Sequence, residues 1–124
     1  MVVDIVLIGP PGSGKTSVAK ALARKLDTSR IDTDHEIEVR AGKKISEIFT
    51  EDGEAKFREM EVEVVAEALA HNGGIVSVGG GSVLNENSQR AIATAQQVVF
   101  LDVSISNAAP RVGFNKDQIG RAHV

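Results

Sequence analysis

The chain has 124 residues, of which 42% are hydrophobic and 25% are charged, and its formal net charge is −3. This length fits one domain, and the composition is that of an ordinary globular protein. The acidic balance and the absence of Trp and Tyr argue against nucleic acid or an anionic membrane as partner, because these require basic surfaces or stacking aromatics. The absence of cysteine excludes disulfides and thiolate metal sites and is compatible with the cytoplasm. No apolar run is long enough for a membrane span.

A phosphate-binding motif follows the first apolar run, Val2 to Ile8. Residues 9–17 read Gly-Pro-Pro-Gly-Ser-Gly-Lys-Thr-Ser and fit the pattern G-x-x-x-x-G-K-[ST]. Glycines in this loop let backbone N–H groups turn inward around a phosphate, and the helix predicted over Lys15–Leu26 points its positive end at the same anion. We therefore predict a nucleoside-triphosphate site with Mg²⁺. Its predicted ligands are Gly12, Ser13, Gly14, Lys15, Thr16 and Ser17.

Short strands and helices alternate along the rest of the chain. Further strands are predicted at 29–32, 75–78 and 97–103, and helices at 37–41, 45–50, 54–70 and 85–94. This alternation predicts an α/β fold, a three-layer, doubly wound parallel sheet with right-handed crossovers. Ligands of such sheets gather at the carboxyl ends of the strands. The phosphate loop, an aspartate pair and a triple glycine each follow a strand, so we expect all three at one edge of the sheet.

The aspartate pair, Asp32 and Asp34, supplies candidate carboxylates for phosphoryl transfer. A carboxylate at a strand end commonly supports Mg²⁺, for which we favour Asp32, with Asp102 as competitor. Asp34 is placed to bind an acceptor hydroxyl or to take its proton as a general base. The alternative is that the Asp-Thr-Asp sequence simply caps the following helix, and the residues alone do not decide between the two.

Arg58 and the glycines at 79–81 are candidate substrate-binding groups. The guanidinium of Arg58 has the geometry to hold a substrate carboxylate with two hydrogen bonds, although a solvated ion pair is the more common fate of an exposed arginine. Three consecutive glycines after a strand suggest close approach of the backbone to a ligand. The glutamates at 59, 61 and 63 are expected on the solvent face of their helix, and the three histidines show no metal-ligand spacing.

These pieces, in this order and spacing, resemble the shikimate kinase family. The resemblance rests on Gly-Ser-Gly-Lys-Thr at 12–16, Asp-Thr-Asp at 32–34, Ile-Phe at 48–49 with Gly-Glu at 53–54, Phe-Arg-x-x-Glu at 57–61 and Gly-Gly-Gly-Ser at 79–82. It implies a P-loop kinase fold and transfer of the γ-phosphoryl group of ATP to the 3-hydroxyl of shikimate, on the route to chorismate and the aromatic amino acids. It also implies a cytoplasmic enzyme, and we expect a monomer.

The resemblance assigns roles residue by residue. Lys15 would stabilise the transferring phosphoryl group. Thr16 would bind Mg²⁺, and Asp32 would hold that metal through water. Asp34 would bind the shikimate hydroxyls and act as base. Arg58 would pair with the shikimate carboxylate, and the same pocket would be lined by Gly79, Gly80 and Gly81. Arg111 would lie against adenine.

The C-terminal part departs from the family pattern. Gln118 stands where the family has a lid arginine, and most of the lid, the last strand and the closing helices have no counterpart. We therefore predict an incomplete kinase core at 1–117 and, at 118–124, a tail that does not match the family. The tail can be back-translated as CAG ATC GGA AGA GCA CAC GTC, which resembles the start of a sequencing adapter. A sequencing artefact is one explanation, and a naturally short paralogue is the other.

Two consequences follow from this departure, and two other functions remain as alternatives. The strand at 97–103 is predicted to be an exposed sheet edge and an aggregation hazard. Without a lid, the 124-residue chain is predicted to have negligible kinase activity, whereas a complete parent protein should be active. The alternatives are another small-molecule kinase of this fold, acting on gluconate or a nucleotide, and a non-catalytic nucleotide-binding module.

Overall fold

The computed structural model describes residues 2–10, 14–103 and 110–113, with side chains at 2–10 and 14–101. Its centre is a sheet in the order β2-β3-β1-β4-β5. The strands are β1 (Ile5–Gly9), β2 (Arg30–Asp32), β3 (Ile75–Gly79), β4 (Gln97–Val103) and β5 (Pro110–Gly113). β1 pairs in parallel with β3 and β4, and β3 pairs in parallel with β2. The predicted α/β fold with a parallel sheet is therefore confirmed for β1 to β4.

The fifth strand corrects one prediction. β5 pairs antiparallel with the second half of β4, from Phe100 opposite Gly113 to Val103 opposite Pro110. The prediction that β4 is an uncovered edge is therefore wrong over Phe100–Val103. An antiparallel neighbour needs only a short connection, whereas a parallel one needs a long crossover, so a short segment after β4 can cover this edge.

Five α-helices and one 3₁₀ helix connect the strands in the described part of the chain. They are α1 (Lys15–Leu26), α2 (Thr33–Ala41), α3 (Ile45–Glu51), α4 (Glu54–Leu69), the 3₁₀ helix Gly80–Leu84 and α5 (Glu86–Ala93). α2 begins at Thr33 rather than at the predicted Ile37 because the Asp32 carboxylate accepts hydrogen bonds from the first turn. Gly42 ends α2 with φ 71°, a left-handed conformation that suits glycine.

Helices cover both faces of the sheet and create two apolar layers. α1 packs with Ala19 on Ile5, Leu7 and Ile75 of one face. Helices α4 and α5 cover the other face, where the buried residues include Val6, Ile8, Val65, Val78, Ile92 and Val98. The predicted three-layer arrangement is confirmed, and it explains why β1 and β3 are almost entirely apolar.

A third, smaller cluster lies away from the sheet. Ile37 of α2, Ile48 of α3, and Phe57 and Val64 of α4 bury one another. This cluster joins the three helices that follow β2 into one unit, which carries Asp34 at one end of α2 and Arg58 in the second turn of α4. No helix of the described residues is long and apolar enough to cross a membrane.

Candidate functional site

Residues that follow β1 and β2 line one cavity at the carboxyl end of the sheet. Its volume is about 320 Å³. The lining residues are Pro10, Gly14, Lys15, Thr16, Ser17, Asp32 and Asp34. The described part of the phosphate loop and the aspartate pair therefore face the same space, which places a candidate anion cradle beside two carboxylates.

Lys15 connects this cavity to β3. Gly14 takes φ 88° as it leads into α1, which is the left-handed conformation that glycine adopts most easily. From the first residue of α1, the Lys15 ammonium donates a hydrogen bond to the main-chain oxygen of Val78 at 3.0 Å. Val78 directly precedes the triple glycine, so the cation stands between the phosphate loop and the end of β3.

The segment from Asp32 to Asp34 is fixed by local hydrogen bonds. Asp32 Oδ1 accepts from the N–H groups of Asp34 at 3.0 Å and His35 at 3.3 Å. The buried hydroxyl of Thr33 donates to the main-chain oxygen of Ser77 at 3.1 Å, which ties the start of α2 to β3. Asp32 therefore caps α2, which was one of the two roles that the sequence left open. One carboxylate oxygen is engaged in this cap, and a metal would be bound through the other.

Asp34 is a half-buried carboxylate packed against the triple glycine. A Cβ atom on Gly79 would meet its Oδ1 at 3.4 Å and its Oδ2 at 3.5 Å. Burial raises the pKa of Asp34, Lys15 lowers it, and the charges of Asp32 and Glu61 raise it further. The carboxyl group therefore holds a proton more readily than an exposed aspartate, which is the direction expected of a group that accepts a proton from an alcohol.

Arg58 lies against the other end of the triple glycine. A Cβ atom on Gly81 would meet Nη1 of Arg58 too closely, so the guanidinium would have to shift from this position if Gly81 carried a side chain. Arg58 Nη1 donates to Glu61 Oε1 at 2.8 Å, and Arg58 Nε lies 3.6 Å from Glu54 Oε2. Chiefly through the hydrogen bond to Glu61, the pKa of Arg58 is raised. Arg58 therefore forms ion pairs, which the sequence analysis gave as the more common fate of such an arginine. It also faces the glycines.

Glu61 is the residue that the sequence interpretation placed wrongly. It was expected on the solvent face of α4, yet only 3% of it is exposed. A buried carboxylate needs a partner, and Arg58 supplies one. The spacing Arg58-x-x-Glu61 puts both residues on one side of a helix. This i,i+3 spacing is the sequence signal from which their pairing could have been predicted.

The triple glycine links the two halves of the site. A second cavity, of about 250 Å³, is lined by Arg58, Glu61, Val62, Gly81, Leu84 and Asn85. Asp34 contacts Gly79 at one end of the triple glycine and Arg58 contacts Gly81 at the other. The structure therefore brings together Gly14, Lys15, Thr16, Ser17, Asp32 and Asp34 in one cavity, with Arg58 in the neighbouring one.

Three of the predicted site residues are not placed by these observations. Gly12 and Ser13 lie outside the described residues. Arg111 belongs to β5, opposite Asp102 of β4, but the described part of each of these residues is the backbone. The adenine role of Arg111 and the role of Asp102 as competing metal ligand stay predictions.

The donor set at the first cavity fits a hard cation that is bound mainly by phosphate and water. The Thr16 hydroxyl and the Asp32 carboxylate border the same space. Within the described residues there is no group of three or more His, Cys, Asp or Glu side chains able to hold a metal ion. Mg²⁺ commonly needs no such cage, since it takes one or two protein oxygens together with substrate phosphates.

Sequence comparison identifies the relatives of this chain. The sequence model of the shikimate kinase family matches residues 11–123. Shikimate kinase of Thermobifida fusca is 56% identical over 110 residues, which are 89% of this chain and 63% of that protein. Shikimate kinase of Saccharopolyspora erythraea is 50% identical, and the match covers 62% of its length. The chain thus spans less than two thirds of the length of these curated relatives.

Solved structures give the same picture. Shikimate kinase from Acinetobacter baumannii, in complex with shikimate, superposes with a TM-score of 0.78 at 34% identity, covering 83% of this chain and 57% of that one. Shikimate kinase from Aquifex aeolicus superposes with a TM-score of 0.73 at 33% identity, covering 86% of this chain and 69% of that one. The fold described above is that of these proteins.

Proposed function

The chain belongs to the shikimate kinase family, and from this premise we propose that it forms the nucleotide- and acceptor-binding part of an enzyme that transfers the γ-phosphoryl group of ATP to the 3-hydroxyl of shikimate. The single observation that carries the proposal is the triple glycine, which has Asp34 against one end and Arg58 against the other. A small molecule with hydroxyls and a carboxylate matches that pair of groups.

In the proposed reaction each residue has a positioning or charge-stabilising role. Lys15 moves from the Val78 oxygen to the β- and γ-phosphates, where a positive charge offsets the charge of the transferring group. Thr16 and Asp32 would hold Mg²⁺, which would supply further neutralisation of phosphate charge. Asp34 orients the 3-hydroxyl and takes its proton as the new O–P bond forms and the bond between the γ-phosphorus and the leaving ADP breaks.

The acceptor's far end is held by Arg58. Its guanidinium keeps free N–H donors after pairing with Glu61, since arginine carries five. A carboxylate bound there fixes the ring so that the opposite hydroxyl faces Asp34 and the phosphates, which lowers the entropic part of the barrier. Gly12 and Ser13 of the loop and Arg111 would complete the nucleotide side.

We propose that the protein works as a cytoplasmic monomer.

The proposal is tested with two proteins, because this chain spans only part of its relatives. In one, residues after Asp117 are replaced by the corresponding remainder of the Thermobifida fusca relative. A coupled assay should detect ADP release that depends on shikimate, and gluconate or a nucleoside should not replace shikimate. The 124-residue chain itself should show negligible turnover, and near-enzyme turnover would refute that prediction.

The Arg58→Ala variant of the fused protein separates the alternatives. Loss of the carboxylate partner should raise the KM for shikimate by about ten- to a hundredfold, as expected for a hydrogen-bonded charge pair of about 1.5–3 kcal/mol. If calorimetry shows that the fused protein and the 124-residue chain both bind MgADP but not shikimate, the chain is a nucleotide-binding module instead. The origin of residues 118–124 stays a prediction, and sequencing the gene beyond the codon for Asp117 tests it.

A further inference from the structure

Two glutamates pair with Arg58, and their surroundings differ sharply. Glu61 is inside the fold, with 5% of its side chain exposed, and lies 2.8 Å from Nη1 of Arg58. Glu54 is the first residue of α4, with 67% of its side chain exposed, and lies 3.6 Å from Nε of the same guanidinium. The Arg58 side chain is itself 39% exposed. One cation therefore stands between two anions that differ in both distance and burial.

Distance and burial indicate different roles for the two carboxylates. At 2.8 Å, Glu61 makes a charge-assisted hydrogen bond that fixes the direction of the guanidinium. At 3.6 Å, Glu54 is beyond normal hydrogen-bond length, so it acts on Arg58 through its charge. Glu54 also does not line the cavity formed by Arg58 and Gly81, so a ligand entering that cavity need not displace it.

We infer that Glu54 lowers the affinity of this site for carboxylated ligands. The inference rests on the proposed function, in which Arg58 holds the carboxylate of shikimate. A ligand carboxylate that binds Arg58 enters the field of Glu54 and is repelled by it. Substrate and phosphorylated product carry the same carboxylate, so Glu54 weakens the binding of both and speeds product release without acting on the transferring group.

The test compares Glu54→Gln with a matched control, Glu59→Gln. Glu59 is an exposed glutamate on the same helix, next to Arg58 in sequence, and no ion pair joins the two within the described residues. Both variants change the net charge of the 124-residue chain equally. Dissociation constants for shikimate are measured by NMR titration, which reaches millimolar affinities, and MgADP serves as a second ligand on the nucleotide side.

Glu54→Gln should bind shikimate about two- to fivefold more tightly than wild type, the scale of a solvent-screened charge pair. Glu59→Gln should match wild type, and Glu61→Gln should bind more weakly because Arg58 loses its orientation. The gain should shrink in 1 M salt and vanish for the methyl ester of shikimate, which has no carboxylate charge. A purely structural role of Glu54 would not distinguish the acid from its ester.

The outcomes separate this inference from the proposed function. If wild type binds shikimate but Glu54→Gln binds no better than Glu59→Gln, or binds more weakly, Glu54 does not lower the affinity and only the inference is overturned. The same comparison is made in the fused protein, and if shikimate binds neither the chain nor the fused protein, with or without Glu54→Gln, while MgADP still binds, both the inference and the acceptor role of Arg58 are wrong.

Discussion

The two halves of the candidate site are built in different ways. The described nucleotide half centres on one continuous stretch, in which Gly14 leads at once into α1 and Lys15 supplies the cation. The acceptor half is assembled from three distant segments, which provide Asp34, Arg58 and the glycines at 79–81. The first depends on local sequence, whereas the second depends on the packing of α2, α3 and α4 against each other and on the end of β3. Substitutions should therefore affect the two halves separately.

The largest expected effect is on the nucleotide half. Lys15→Ala removes the cation that reaches the phosphates and should weaken MgADP binding by about ten- to a hundredfold, because charge-assisted hydrogen bonds contribute about 1.5–3 kcal/mol. Shikimate affinity should change by less than about threefold. Calorimetry with each ligand measures this, with Lys20→Ala on the exposed part of α1 as control. An equal loss for both ligands would mean that the halves are not separate.

The second effect is on the acceptor half and uses two neighbouring glycines. A Cβ on Gly81 collides with Arg58, whereas one on Gly80 meets nothing within 4 Å. Gly81→Ala should shift the guanidinium and weaken shikimate binding by roughly two- to fivefold, since the end of a flexible, partly exposed side chain gives way at low cost. Gly80→Ala should bind like wild type, and MgADP affinity should be unchanged in both. Equal shikimate affinities of the two variants would show that Gly81 does not shape the pocket.

The third effect concerns stability and pH at Asp34. Burial raises the pKa of its carboxyl group, so the charged form costs folding free energy at neutral pH. Asp34→Asn should therefore raise the melting temperature at pH 7 by roughly 2–5 °C while shikimate phosphorylation by the fused protein is lost. The gain should shrink as the pH falls toward about 3.9, the pKa of an unfolded aspartate, because the wild-type group is then protonated in both states. A lower melting temperature for Asp34→Asn at pH 7 would contradict this.

The smallest effect is expected at a surface ion pair behind the acceptor half. Arg40 binds Glu67 with two hydrogen bonds, of 3.1 Å and 2.6 Å, and so joins the end of α2 to α4. Both side chains are exposed, so Arg40→Ala should lower the melting temperature by only about 1–2 °C and leave shikimate affinity unaltered. Lys43→Ala, which removes the ion pairs of a less exposed lysine with Glu51 and Asp52, is the control. A large loss of shikimate affinity specific to Arg40→Ala would show that the pair helps to position Asp34 and Arg58.

Much of the fold was predictable because the patterns are local. The apolar runs marked β1, β3 and β4, and α1 was predicted with the bounds that the structure has. β5 was missed because its existence depends on pairing with β4, and a short run with a proline gives no such signal. Asp32 shows the limit of a local pattern: the sequence offered capping as one of two alternatives, the structure shows the cap, and whether its second oxygen also binds a metal depends on tertiary structure.

The acceptor half was harder to predict for the same physical reason. Nothing in the sequence near Arg58 states that it lies against Gly81, since that contact depends on how α4 packs beside the end of β3. Glu61 looked like a solvent-facing residue because alternate glutamates suggest a wet surface, and only the fold shows that it is buried with Arg58 as its partner. The resemblance to a family assigned Arg58 and the glycines to one pocket where periodicity did not, but it gave no role to Glu61.

The central claim is that the strand ends hold a nucleotide and a carboxylated alcohol face to face. The most direct test replaces Mg²⁺ with paramagnetic Mn²⁺, together with ADP, and measures the relaxation of shikimate protons in the presence of the 124-residue chain. We predict strong relaxation, greatest for the protons nearest the 3-hydroxyl and abolished by Arg58→Ala. Shikimate that binds the chain yet relaxes as it does with Mg²⁺ would place its site away from the nucleotide and contradict the account.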